Sequence, residues 1–228
     1  MAPRRDDLDE IGAGPLSRGA AVIMWVLTIC GLVALTGGLP LMLVPFLTGD
    51  AANVWLVALL ALPMGPALAA AMFTWRRFVE ERDLRPASHF WRGYRLNALD
   101  VLRWWVPTVV ALAVIAFSVA HIDTAGLPTG YGIVLVVIAV AVLMWAVLAL
   151  ALSSRLSLRT RDVARLAAYY LAAKPLVALG VLSLLVLCVG IVVFTSDWVL
   201  VMLSGLLAFA VVTTTEPVVS DATARFTA

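Results

Sequence analysis

Residues 131–153 read YGIVLVVIAVAVLMWAVLALALS, and residues 154–174 continue SRLSLRTRDVARLAAYYLAAK. The first string carries no charged and no amide side chain over more than the ~20 residues that cross a ~30 Å hydrocarbon layer as a helix. The second places Arg155, Arg159, Arg161, Arg165 and Lys174 among apolar residues at helical spacing. An uninterrupted apolar run followed at once by a basic stretch predicts a transmembrane helix that ends on the side where Lys and Arg are retained.

Five more apolar stretches, 20–47, 52–75, 104–121, 175–194 and 198–216, flank this one. Threading them in order leaves Arg4, Arg5 and Arg18 before the first. Seven Arg fall between the second and third, five basic residues between the fourth and fifth, and Arg225 after the sixth. The other connections carry Asp50, His121, Asp123 and Asp197 but no Lys or Arg. All 16 basic residues can then lie on one side of a membrane, and this bias places both termini in the cytoplasm. The predicted fold is all-α: a polytopic transmembrane bundle of six spans over residues 20–217, with two cytoplasmic amphipathic helices in loops 76–103 and 154–174. Residues 1–19 read as a disordered cytoplasmic tail and 218–228 as a cytoplasmic tail. The expected location is a bacterial cell membrane, and the bilayer is the first expected partner.

Composition agrees: 63% of residues are hydrophobic, against ~45–50% in a soluble domain. The arginines border apolar spans rather than line a soluble face, so nucleic acid is excluded as a partner. Cys30 and Cys188 fall inside spans and read as small apolar residues. The first apolar stretch is too long, since 28 helical residues would run about 42 Å. Gly37-Gly38-Leu39-Pro40 is expected to break it; whether residues 37–47 span, re-enter or lie at the interface stays open. In the second span, Gly65 and Ala69 stand four apart, a spacing that lets another helix backbone approach closely. That predicts packing within the chain or a homo-oligomer seam.

In the first basic loop, Ser88 reads as a helix cap, followed by an apolar stripe of Phe90, Tyr94, Ala98, Val101 and Trp105. In the second, Thr160 reads as a cap, Val163, Leu166, Ala167, Tyr170 and Leu171 form the apolar side, and Arg161 and Arg165 the basic one. Arg92, Tyr94, Arg95, Arg161 and Arg165 are the candidate contacts to a partner or to anionic lipid. The span interiors contain no Asp, Glu, Lys, Arg, Asn or Gln, which weighs against an ion-coupled carrier. His121 and Asp123 lack a third metal ligand nearby in sequence, and no phosphate loop, zinc spacing or nucleophile elbow is present. Neither enzymatic activity nor a cofactor is expected.

The segment Leu62-Pro63-Met64-Gly65-Pro66-Ala67-Leu68-Ala69-Ala70-Ala71-Met72, then Trp75-Arg76-Arg77, then Phe90-Trp91-Arg92-Gly93-Tyr94-Arg95 resembles the YesL-like family of bacterial membrane proteins. That family pairs a GPA-x-x-A segment with a cytosolic F-[WFR]-R-x-[YF] segment. Gly49-Asp50-Ala51-Ala52-Asn53 is similar to its version in high-GC Gram-positive bacteria, whereas an Asn common in the family's first span is missing around Ile23-Met24-Trp25. The resemblance covers residues 20–190 in layout and 62–97 in motif. It implies a role associated with carbohydrate uptake, and transporter subunits as partners, with no catalytic residues to transfer. The leading expectation is a non-enzymatic accessory or scaffold subunit. The alternative is a small oligomeric transporter or channel with a pathway near the Gly65-Pro66 break.

Single-cysteine labelling tests the topology. Positions 50, 123 and 197 should react with a membrane-impermeant maleimide from outside intact cells, and positions 87 and 160 only after lysis. External protection at position 50 would instead support five spans.

Overall fold

The computed structural model describes residues 15–47, 50–81, 85–156 and 159–226. They form an all-α bundle, with no strand among the described residues. The helices are α1 (Pro15–Val33), α2 (Leu39–Leu41), α3 (Val54–Ala61), α4 (Met64–Glu81), α5 (Pro86–Ala120), α6 (Thr129–Ser153), α7 (Thr160–Ala173), α8 (Pro175–Phe194) and α9 (Asp197–Phe226). Six helical segments are long and apolar enough to cross a membrane, beginning at Gly19, Ala51, Pro86, Gly130, Pro175 and Asp197.

Two spans are irregular, and proline explains both. The first does not break at Gly37-Gly38 as expected. It passes through a π turn at Ala34–Gly38 into α2 and ends in a 3-10 turn at Val44–Phe46. The wider bonding of the π turn shifts the register ahead of Pro40, whose ring nitrogen has no hydrogen to donate. Its glycines serve close packing: a Cβ on Gly38 would meet the Val201 side chain, and one on Gly37 would lie 2.7 Å from Ala67 Cβ. The second span breaks between α3 and α4. Pro63 cannot serve the Leu59 carbonyl, which accepts from the Leu62 N–H at 3.2 Å instead. Trp105 Nε1 donates to the Ala61 carbonyl at 3.2 Å and closes the break from α5.

The helix starts differ from the sequence reading. Helix α5 begins at Pro86, and Ser88 lies inside it with its hydroxyl donating back to the Arg85 carbonyl. Thr160 is the first helical residue of α7, and Arg159 occupies the cap position. Helix α1 starts at Pro15, within the stretch read as a tail; residues 1–14 lie outside the described residues. At the other terminus α9 continues past Pro217 to Phe226, and Val218, Val219 and Ala222 are fully buried. Residues 218–226, read from sequence as a cytoplasmic tail outside the bundle domain, are packed helix. Their apolar spacing lets them continue the buried stripe of α9.

Helices α4 and α9 form the centre: α4 packs along α5, and α9 lies against α1, α4 and α8. The core gathers Trp25, Ile29, Met72, Trp75, Leu148 and Val181. Gly65 is buried against the Trp105 ring, where its Cβ would come within 2.6 Å, and Ala69 is fully buried. Both thus face helices of their own chain. Backbone meets backbone where α1 crosses α9: a Cβ on Gly205 would sit 2.7 Å from the Cys30 backbone nitrogen. Backbone cannot rotate aside as a side chain can. Gly205→Ala should therefore destabilise the protein by about 1–3 kcal/mol, as overpacking does. Gly190→Ala, in α8 with nothing within 4 Å of its Cβ position, should stabilise it by roughly 0.5–1 kcal/mol through helix propensity. Thermal unfolding in detergent measures both, and equal shifts would contradict the close crossing.

Candidate functional site

The ends of the spans sort by chemistry. Around Trp25, Trp75, Phe78, His89, Tyr170 and Glu216 the chain is rich in charge and aromatic rings. At the opposite end Trp55 packs on Phe117 with ring centroids 6.3 Å apart. The Arg-rich end is the candidate site.

Its floor is an aromatic cluster. Trp25 lies 4.9 Å from Phe78 and 6.4 Å from Trp75, and Trp75 lies 4.9 Å from Phe209, all between ring centroids. Trp75 Nε1 donates to the Gly205 carbonyl at 2.8 Å, joining α4 to α9. One residue on, Arg76 reaches the same helix: its Nη1 donates to Glu216 Oε2 at 2.7 Å. The Arg76 side chain is 6% exposed and that of Glu216 49%. A guanidinium this buried depends on its carboxylate, because loss of the partner leaves a charge in a poorly solvated place. From sequence, Arg76 falls at the start of the cytoplasmic loop 76–103. A solitary Glu before Pro217 was the available signal, but 140 residues separate the pair, and only the packing of α4 on α9 brings them together.

Helix α7 closes the same end. Val163, Ala167 and Tyr170 are buried, so its apolar face is spent on the bundle rather than on lipid. Trp145 Nε1 of α6 donates to the Ala164 carbonyl at 3.0 Å. The Tyr170 hydroxyl donates to Asp221 Oδ2 at 2.8 Å, and Arg225 Nε lies 3.2 Å from the same oxygen. Lys174 Nζ donates to the Pro217 carbonyl. The terminal turns of α9 thus form the seat on which α7 is held. Burial first, and then the Asp221 carboxylate, push the Tyr170 hydroxyl up to about 12.

The arginines singled out by sequence lie on the outside. Arg92 and Arg95 on α5 and Arg161 and Arg165 on α7 are exposed. Among the described residues none of the four forms an ion pair. Their neighbour Arg103 differs, with its Nη1 2.7 Å from Asp100 Oδ1. Helices α5 and α7 touch around Val101, Trp104 and Val163, and the four arginines stand outside that contact. Tyr94 belongs to the interior side: it is half-buried, stacked on Phe90 at 6.2 Å and edge-on to Trp91 at 5.9 Å. Gly93, which sequence reasoning passed over, fixes this face, since its Cβ would lie 2.7 Å from the Phe73 ring. The outer face of α5 mixes charge with apolar surface: Leu96 is 60% and Leu99 73% exposed.

Near Gly65 and Pro66 the bundle holds apolar side chains, with Trp105 against the glycine, and so lacks the polar lining a water-filled pore requires. Among the described residues no three His, Cys, Asp or Glu side chains gather as a metal site. His121 turns to its own helix, with Nδ1 2.9 Å from the Phe117 carbonyl. No protein-family model, curated protein or solved structure matches this chain.

The Tyr170 hydrogen bond has a pH signature. A hydroxyl whose folded value of about 12 exceeds the unfolded value of about 10 contributes stability that is complete below pH ~10 and lost as pH rises through ~12. Tyr170→Phe should lower stability near neutral pH by about 1–3 kcal/mol, the range for a hydrogen bond to a charged group. It should also flatten the alkaline decline. Melting temperature against pH in detergent checks both, and an identical decline in the variant would assign it to other groups.

Proposed function

We propose that this chain is a non-enzymatic, multi-pass protein of the bacterial cytoplasmic membrane, with both termini inside, acting as an accessory or scaffold subunit of transport machinery. The association with carbohydrate uptake of the ABC type rests on the YesL-like motifs at residues 62–97. The observation that carries the docking role is the outward set of Arg92, Arg95, Arg161 and Arg165, on helices whose inner faces the bundle already uses. Helix α7 does not need lipid to cover its apolar side, so its arginines are presented on a rigid support. On α5, Leu96 and Leu99 follow Arg95 and are exposed, and Trp91 is 41% exposed. Apolar area interleaved with guanidinium groups is the composition of a protein-docking surface.

Lysine substitution separates docking from simple attraction to anionic lipid. Lipid attraction is roughly additive per charge, so Arg→Lys would leave it unchanged. A partner gripped by planar, forked hydrogen bonds is lost, because Lys offers a point charge. The Arg92→Lys, Arg95→Lys double variant should stay folded and membrane-inserted while losing co-purifying transporter components from native membranes. An unchanged set of co-purifying proteins would reduce the arginines to lipid contacts and remove the docking role.

A further inference from the structure

Two apolar pockets of about 220 Å³ each, both partly open at the surface, adjoin in the bundle. The deeper one sits among α4, α5, α6, α8 and α9, walled by residues such as Met72, Ala146, Leu184, Cys188 and Ala208. The second opens at the end opposite the arginines, beside Asp197 and Trp198. Met64 and Leu200 line both, so the two pockets meet there. Methionine, unbranched and with three rotatable bonds, is the residue type best able to move aside. Gly37 of the π turn presses on Met64, with its Cβ position 3.1 Å from Met64 Sδ.

The deep wall offers water nothing. The Ser204 hydroxyl is turned into its own helix, donating to the Val201 carbonyl at 2.6 Å. Trp105 Nε1 is engaged by the Ala61 carbonyl. A buried water needs two to four polar partners, and an apolar cavity of roughly 150 Å³ stays dry and takes up benzene. This pocket is larger and partly open, and left empty it deprives its lining of dispersion contacts. Its shape points to something long. From Asp197 to Val211, the lining positions of α9 run about 21 Å at ~1.5 Å per residue, more than one leaflet of a ~30 Å hydrocarbon core.

We propose that the joined cavities hold the hydrocarbon tail of a single-chain membrane amphiphile, which enters beside Asp197 and Trp198 with an amine or hydroxyl head on the Asp197 carboxylate. The head chemistry follows from the charge at the mouth: Asp197 accepts hydrogen bonds and repels a phosphate or carboxylate. This site is independent of the arginine face and stands or falls without it.

The test is photolabelling of the full chain in phosphatidylcholine nanodiscs with hexadecylamine or palmitic acid, each bearing a diazirine near the terminal methyl. The amine should label peptides containing Leu184–Cys188 and Leu207–Val211, and excess unlabelled hexadecylamine should abolish that labelling. Ala146→Phe, which fills the deep cavity, should lose the label while melting no lower than the natural chain. Asp197→Asn should erase the preference for amine over acid. Label spread over lipid-facing positions such as Leu176, Val186 and Phe194, unmoved by competitor, would overturn the site. Should Ala146→Phe fail to fold, competition on the natural chain decides alone. A preference unchanged in Asp197→Asn would overturn the assignment of the head.

Discussion

On α9, Gly205 presents no side chain to hold off α1, and the two backbones approach until a Cβ there would lie 2.9 Å from Cys30 Cα. In hydrocarbon, helices gain little from hiding apolar surface, since lipid tails are as apolar as leucine, so close backbone packing carries much of the association. The same glycine exposes its carbonyl to Trp75 Nε1 at 2.8 Å, which registers α4 against α9. With that register set, Arg76 falls opposite Glu216, three turns further along α9. The charged end of the protein is therefore built outward from one small-residue crossing. Gly38 against Val201 and Gly180 against Thr214 repeat the device on either side of it.

Indole groups do for the interruptions what water does in soluble proteins. Where Pro63 frees backbone between α3 and α4, Trp105 supplies a donor, and Trp145 ties α6 to the α7 backbone. A bilayer interior leaves no solvent to satisfy such groups, so a neighbouring helix must do it. Each indole also brings bulk, which sets the helix spacing around it. Near Trp105 that spacing leaves the apolar cavity beside Met64. The irregular spans and the interior space are thus parts of one arrangement.

The two ends of the molecule differ in construction. At the Arg-rich end Tyr170, Asp221 and Arg225 link α7 to the last turns of α9, while the exposed arginines stand on its outside. The opposite end is interrupted by the π turn, the 3-10 turns and the Leu62–Pro63 break.

Six spans and the clustering of basic residues at one end could be read from the chain, because hydrocarbon thickness sets segment length and charge is excluded from the core. The exposure of Arg92, Arg95, Arg161 and Arg165 followed from helical periodicity alone, as did the buried side of α7 at Val163, Ala167 and Tyr170. Tyr94, read both in the apolar stripe and among the candidate contacts, is half-buried in that stripe, which turns slightly to bury Gly93 and Trp104, where Phe73 and Trp145 pack. The burial of Arg76, the seat of α7 on residues 217–225 and the cavity joined at Met64 were decided by tertiary structure. Each depends on which helices become neighbours and how closely they cross, and no local pattern in an apolar sequence carries that information.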